Sequence, residues 1–172
     1  VKSMLFNSYV FLAFLAGILI LLRVIPGWPL RKALLVGLSY LFYMAWNPPF
    51  VVLLWISTVA DWFIAKKLHQ TSEPWKRKSL LLATLAVNLG LLSYFKYGQF
   101  FLDNVLSFTD ALGVSFTPID LGIVLPVGIS FYTFQTLSYT IDIYQRKAQP
   151  WHSFLDYALF VTFFPQLVAG PI

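Results

Sequence analysis

Charge is scarce in this chain, and cysteine is missing altogether. Only 11% of the 172 residues are charged, and there are two histidines and no cysteine. Without cysteine there is no disulfide and no thiolate metal site, and the redox compartment cannot be read. With so little charge the chain departs from an ordinary soluble domain, which carries about 25% charged and about 45–50% apolar residues. No pair among the two histidines and seven acids has metal-ligand spacing, and no serine sits on a nucleophile-elbow motif. The residues taken alone therefore supply no complete catalytic constellation and no metal site.

What fills the space is apolar. Hydrophobic residues make up 59% of the chain, aromatics 19%, and the mean hydropathy is +0.74. A soluble domain of this size could not hide that much apolar surface, whereas a bilayer removes the need to hide it. The net charge of +5 could point to nucleic acid. It does not, because the basic residues lie between apolar runs and form no basic face of their own.

Six apolar stretches run roughly over Tyr9–Leu22, Ala33–Trp46, Phe50–Ala65, Leu80–Phe95, Leu121–Tyr144 and Phe154–Ile172. A full span needs about 20 helical residues, so the second and third are short for one. They read as two tilted spans or as one deep helical hairpin broken at Asn47-Pro48-Pro49. The fourth lengthens if it continues through Lys96 to Leu102. Open sheet edges are not tolerated in lipid, and no period-2 alternation suggests a barrel. The expected fold is all-α, a polytopic transmembrane helical bundle of about six segments.

Placing the N-terminus outside sends Arg23, Arg31 and Lys32 to a first inner loop. Lys66, Lys67, Lys76, Arg77 and Lys78 then fall in a second, and Arg146 and Lys147 in a third. Ten of the twelve basic residues are then cytoplasmic. The outer loop from about Tyr97 to Asp120 carries Asp103, Asp110 and Asp120 and no Lys or Arg, which is the positive-inside bias. Trp46, Trp62, Trp75, Tyr97 and Trp151 suit interfacial aromatic belts. Lys2 ahead of the first run does not make a cleaved signal. Met4 reads as a natural start, and the stop at Gly170-Pro171-Ile172 reads as truncation of a longer protein.

Polar groups inside the apolar runs are the candidate functional residues. Asp61 shares a face with Ser57, four residues earlier, and is either a functional carboxylate or an interfacial partner of a lysine. Lys96 either snorkels to the outer surface or lies in the membrane facing an acidic or cavity partner. Gln135, Ser138, Tyr139 and Asp142 follow i, i+3, i+4, i+7 spacing and form one polar stripe. Facing lipid it would be costly, so it lines a wet cavity or bonds a neighbouring helix. Pro165, Gln166, Gly170 and Pro171 predict a kinked or interrupted last helix. His69 and His152 read as solvated or interfacial.

The segments Leu125-Pro126-Val127-Gly128-Ile129-Ser130-Phe131-Tyr132-Thr133-Phe134-Gln135 and Ser138-Tyr139-Thr140-Ile141-Asp142-Ile143-Tyr144 resemble the membrane-bound O-acyltransferase family. The alginate O-acetyltransferase branch is nearest. Phe164-Pro165-Gln166-Leu167-Val168-Ala169-Gly170-Pro171 is a second match. Weaker ones are Met4-Leu5-Phe6-Asn7-Ser8, the Ser39-Tyr40-Leu41-Phe42-Tyr43 to Trp46 run, and Tyr94-Phe95-Lys96-Tyr97. Each is an apolar word of modest specificity; their order and spacing from Met4 to Ile172 carry the likeness.

The resemblance implies a multi-pass enzyme of the bacterial cytoplasmic (inner) membrane. It would move an acyl group from a cytoplasmic donor, acetyl-CoA, to hydroxyls of an extracytoplasmic polysaccharide such as alginate. It implies no bound cofactor, and a periplasmic or surface acyltransferase as partner. Residues 1–172 would be the N-terminal portion of one transmembrane domain whose C-terminal half is missing. In the family a histidine deep in a funnel serves as general base. It falls beyond the segment matching Gly170-Pro171, and neither His69 nor His152 matches it, so the chain alone is expected to be inactive. Gln135, Tyr139, Asp142 and Gln166 would line or buttress the funnel. Competing readings are a transporter or flippase subunit, where broken helices also occur, and a non-catalytic membrane scaffold.

Overall fold

The computed structural model describes residues 8–45, 48–114 and 122–169. Met4–Asn7, Trp46, Asn47, Asp120, Leu121, Gly170, Pro171 and Ile172, all used in the sequence reading, lie outside the described residues. The described residues form helices α1 (Tyr9–Val24), α2 (Trp28–Met44), α3 (Pro48–Gln70), α4 (Pro74–Ala111), α5 (Ile129–Tyr144), α6 (Phe154–Thr162) and α7 (Phe164–Ala169).

The punctuation is local chemistry. The Ser8 hydroxyl accepts from the Phe11 amide at 3.1 Å and opens α1. Proline stands in the first turn of α2, α3 and α4, where its missing N–H costs nothing. The sixth apolar stretch is interrupted at Phe163, which separates α6 from α7, as the proline-rich sequence predicts. At this break the Phe164 amide donates to the Ser39 hydroxyl of α2 at 3.2 Å.

Helices α3 (23 residues) and α4 (38 residues) are long and apolar enough to cross a membrane, by length and composition. At about 1.5 Å per residue α3 reaches about 35 Å and α4 about 57 Å, against a hydrocarbon core of about 30 Å. Helices α1, α2 and α5, of 16, 17 and 16 residues, reach only about 24–26 Å.

Three expectations need correction. The third stretch is not short, because Pro48 and Pro49 begin α3 rather than ending a helix and Lys66–Gln70 continue it. The region after Tyr97 is not an outer loop as far as Ala111: α4 continues without a break, carrying Asp103 and Asp110. Several inner-loop cations are helical instead. Arg31 and Lys32 lie in α2, Lys66 and Lys67 in α3, and Lys76, Arg77 and Lys78 in α4. Lysine and arginine are good helix formers, and all of these but Arg77 keep their heads within reach of water.

Helix α3 sits at the centre, packed against α2, α4, α5 and α6. Leu54, Ala65, Leu68, Ile143, Tyr157 and Val161 meet there in the larger core. A second cluster joins α1, α2 and α7 through Phe11, Phe14, Phe42 and Phe164, with ring centroids 5.4–6.3 Å apart. The pairs are edge-on or tilted apart from the stacked Phe14 and Phe42, and the ring quadrupole favours edge-to-face and offset arrangements at such spacings. The outward faces are greasy: Val52, Trp55, Ile56, Phe63 and Val87 are at least half exposed.

Candidate functional site

The interior of α3, α4 and α5 holds a polar centre built on Asp61, which is 2% exposed. Ser57 and Asp61 are one turn apart on α3, and Thr84 and Asn88 one turn apart on α4, so each pair presents one face. The Thr84 hydroxyl donates to Asp61 Oδ1 at 2.6 Å. The Asn88 amide nitrogen donates to both carboxyl oxygens, at 3.0 and 3.1 Å. Its own Oδ1 accepts from Ser57 at 3.3 Å and, across to α5, from Thr136 at 3.4 Å. No ion pair among the described residues involves Asp61. Of the two readings of Asp61, the lysine partner therefore fails: Lys66 turns toward the Trp62 ring and the His152 carbonyl instead.

Hydroxyl and amide donors thus hold this carboxyl group and tie three helices together at depth. Substitution of Asp61 by Leu should cost about 1–3 kcal/mol, because it strands the buried Thr84 and Asn88 donors. Asp61→Asn keeps an acceptor for Thr84 and should cost less. Thermal unfolding of both variants in detergent checks the order.

A buried guanidinium fastens the other end of these helices. The last carbonyls of a helix lack partners within it. Arg77, 6% exposed at the start of α4, supplies them for two helices at once. One guanidinium nitrogen donates to the carbonyls of Leu68 (2.5 Å) and Thr71 (3.2 Å) at the end of α3. The other donates to Ile143 (3.4 Å) and Tyr144 (2.6 Å) at the end of α5. The sequence reading placed Arg77 among loop cations. It is buried because its planar fork of donors suits several carbonyls at once.

The residues of the α5 stripe do not stay together. Tyr139 is buried, and its hydroxyl accepts from the Trp151 amide at 2.9 Å. Gln135 donates to the Phe160 carbonyl at 2.7 Å, satisfying a group near the α6–α7 break. Ser138 and Asp142 are exposed, and the Ser138 hydroxyl donates to its own helix at the Gln135 carbonyl, 2.9 Å away. The inward polar face of α5 is instead Thr133, Thr136 and Thr140, all 1% exposed or less. Their i, i+3, i+7 spacing was visible in the sequence. It went unread because threonine sits comfortably on apolar faces by bonding its own helix, as Thr136 and Thr140 do.

Two open cavities flank Phe160. One of about 550 Å³ is lined by Ser130, Phe131, Phe134, Gln135, Ser138 and Phe160. The other, about 510 Å³, includes Gln166, Trp28, Trp151 and the ion pair of Lys32 with Asp156, which joins α2 to α6. Gln135, Ser138 and Gln166 therefore border cavities, whereas Asp61 and Asp142 line neither. Lys96 is exposed on the uninterrupted α4, with Nζ 3.5 Å from the Ser130 hydroxyl. Among the described residues no three His, Asp or Glu side chains are grouped to hold a metal ion.

The two motif segments of the sequence meet at Gly128. Its φ of +76° is left-handed, and a Cβ there would lie 2.2 Å from the Leu167 carbonyl oxygen in α7. The start of α5 and the helix after the break are thus pressed backbone to backbone.

Comparison with known proteins places this arrangement. The chain is 35% identical over 98% of its length to the probable alginate O-acetylase AlgI of Pseudomonas aeruginosa, and 36% identical to that of Pseudomonas syringae pv. tomato. It is 38% identical over 82% of its length to a peptidoglycan O-acetyltransferase of Helicobacter pylori. The chain belongs to the membrane-bound O-acyltransferases, on their alginate O-acetylase-like branch. It spans about a third of the length of these relatives, covering 30–33% of each. No protein-family model and no solved structure matches it. For a member of the membrane-bound O-acyltransferases, the Gly128–Leu167 contact joins the two segments that carry the family likeness most strongly.

Proposed function

We propose that the chain is the N-terminal portion of a multi-pass inner-membrane O-acetyltransferase. It would take an acetyl group from acetyl-CoA on the cytoplasmic side and deliver it to hydroxyls of an extracytoplasmic glycan. Six membrane segments with the N-terminus outside fit the distribution of its cations. The observation that carries the proposal is the likeness to curated O-acetylases along 98% of the chain. Alginate is the first-choice acceptor; the peptidoglycan relative makes a muramyl-type glycan the second.

Attack of a glycan hydroxyl on a thioester needs a base near neutrality to take its proton, work suited to histidine. His69 closes α3 and His152 lies in the α5–α6 link, both at the edge of the bundle. The family resemblance puts that base in the part of the enzyme beyond this chain, and neither His69 nor His152 matches it. The chain's own contribution is the wall: Gln135 and Tyr139 brace α5 against α6 and the link, and Gln135 and Gln166 border the cavities beside Phe160. A periplasmic or surface transferase would receive the product or share the acceptor.

The test is a replacement in an alginate-producing host. The chain substitutes for the corresponding third of the resident O-acetylase, and acetyl esters on the secreted polymer are measured. The chimera should restore esters, and the chain expressed alone should give none. A membrane-inserted chimera at normal abundance that leaves alginate unacetylated would overturn the acceptor assignment. Should it acetylate peptidoglycan instead, the second acceptor replaces the first. Asp142→Asn in the chimera should retain wild-type ester levels, because Asp142 is exposed and lines neither cavity.

A further inference from the structure

A small recess lies where the end of α3 meets the α5–α6 link, lined by Lys66, His69, Gln70, Gln149, Pro150 and His152. Its volume is about 210 Å³, below the roughly 300–1,000 Å³ of sites for drug-sized ligands, so it suits a single small group. A lysine ammonium, two imidazoles and two carboxamides line it, and no carboxylate does.

The recess is held open by fixed contacts. The Trp62 indole donates to the Trp151 carbonyl at 3.2 Å, and the Trp151 amide donates to Tyr139 at 2.9 Å. Lys66 Nζ lies 3.6 Å from the Trp62 ring centroid and reaches the His152 carbonyl at 3.4 Å. An ammonium has three hydrogens, so at least one stays available for a ligand. The Trp62 and Trp151 rings beside the recess are of the kind that gathers at membrane surfaces. Basic pockets between helices at that depth hold phosphate headgroups.

We propose that this recess binds a phosphate group at the membrane surface, with Lys66, His69 and His152 as its donors. The inference rests on the membrane placement and not on acyl transfer. It is therefore tested without any measurement of esters.

The purified chain is placed in phosphatidylcholine nanodiscs, with and without phosphatidylglycerol, and separately in phosphatidylcholine discs with added inorganic phosphate. Anionic lipid should raise the unfolding midpoint by roughly 3–5 °C through binding to the folded state. Lys66→Gln should remove most of the rise, and so should the double variant His69→Gln/His152→Gln, which leaves the lysine tether intact. Lys78→Gln, an exposed cation outside the recess, should keep it. A rise with lipid alone identifies a headgroup, and a rise with inorganic phosphate identifies a soluble source; either supports the site. The proposal falls if neither probe shifts the midpoint, or if Lys78→Gln loses as much as the recess variants.

Discussion

Replacing Gly128 by alanine should abolish the folded chain: purified in detergent, the variant should elute as aggregate where the wild type gives a single symmetric peak. Two costs coincide at this residue. A φ of +76° disfavours any residue with a Cβ. The added carbon would also meet the Leu167 carbonyl oxygen at 2.2 Å, and the neighbouring Leu167 carbonyl carbon at 3.2 Å. Backbone atoms cannot rotate aside as a flexible side chain does. Relief requires α7 to back away from α5, which opens the aromatic cluster around Phe164. Overpacking alone costs typically 1–3 kcal/mol, and strained backbone adds about 1–3 kcal/mol. Gly98→Ala is the control. Its Cβ would meet only the tip of the Ile123 side chain, at 2.9 Å. That variant should stay monodisperse, with a small drop in unfolding temperature.

The second large effect is expected at Arg77. Arg77→Gln should lower stability by about 1.5–3 kcal/mol or more, the range for losing hydrogen bonds to a charged donor and leaving buried carbonyls unmatched. The substitution takes the guanidinium from four carbonyls at two helix ends. A carboxamide is too short and has too few hydrogens to replace it. Arg77→Lys should recover only part, since an ammonium cannot present two parallel donors. The distinguishing measurement is hydrogen exchange. In both variants the last turns of α3 and α5 should lose protection together, although 66 residues separate Arg77 from Ile143 in sequence. Loss confined to α4 would mean that Arg77 acts only within its own helix.

Helix punctuation was legible in the sequence because it is written in residues whose effect is local. Pro48, Gly128 and the proline after Phe164 each mark a boundary that backbone geometry enforces without outside help, whereas the start of α4 at Pro74 was placed six residues late, at Leu80. The absence of strand periodicity was legible for the same reason. Partners across helices were harder to read. Thr84 and Asn88 went unread inside the apolar stretch from Leu80 to Phe95. They acquire meaning only beside Asp61, 23 and 27 residues earlier. Arg77 was read as a loop cation because it stands between Lys76 and Lys78 in a basic run that separates two apolar stretches. Nothing in its neighbourhood reports two distant helix ends with carbonyls to satisfy. The α5 stripe shows the limit of periodicity. Spacing placed Gln135, Ser138, Tyr139 and Asp142 on one side of a cylinder, but the side is wide. Its Tyr139 edge was covered by the α5–α6 link, and its Ser138 and Asp142 edge was left open.

The 38 residues of α4 have a geometric consequence. Even leaning 40° from the membrane normal, the steep end of the range seen for such helices, a rod of about 57 Å still rises about 44 Å. The hydrocarbon layer is about 30 Å deep. Threaded across a bilayer, as proposed above, α4 would leave some 14 Å of that height clear of the oil, in whichever direction it ran. It would then work as a mast, with any loop attached to its far end carried well above the lipid tails.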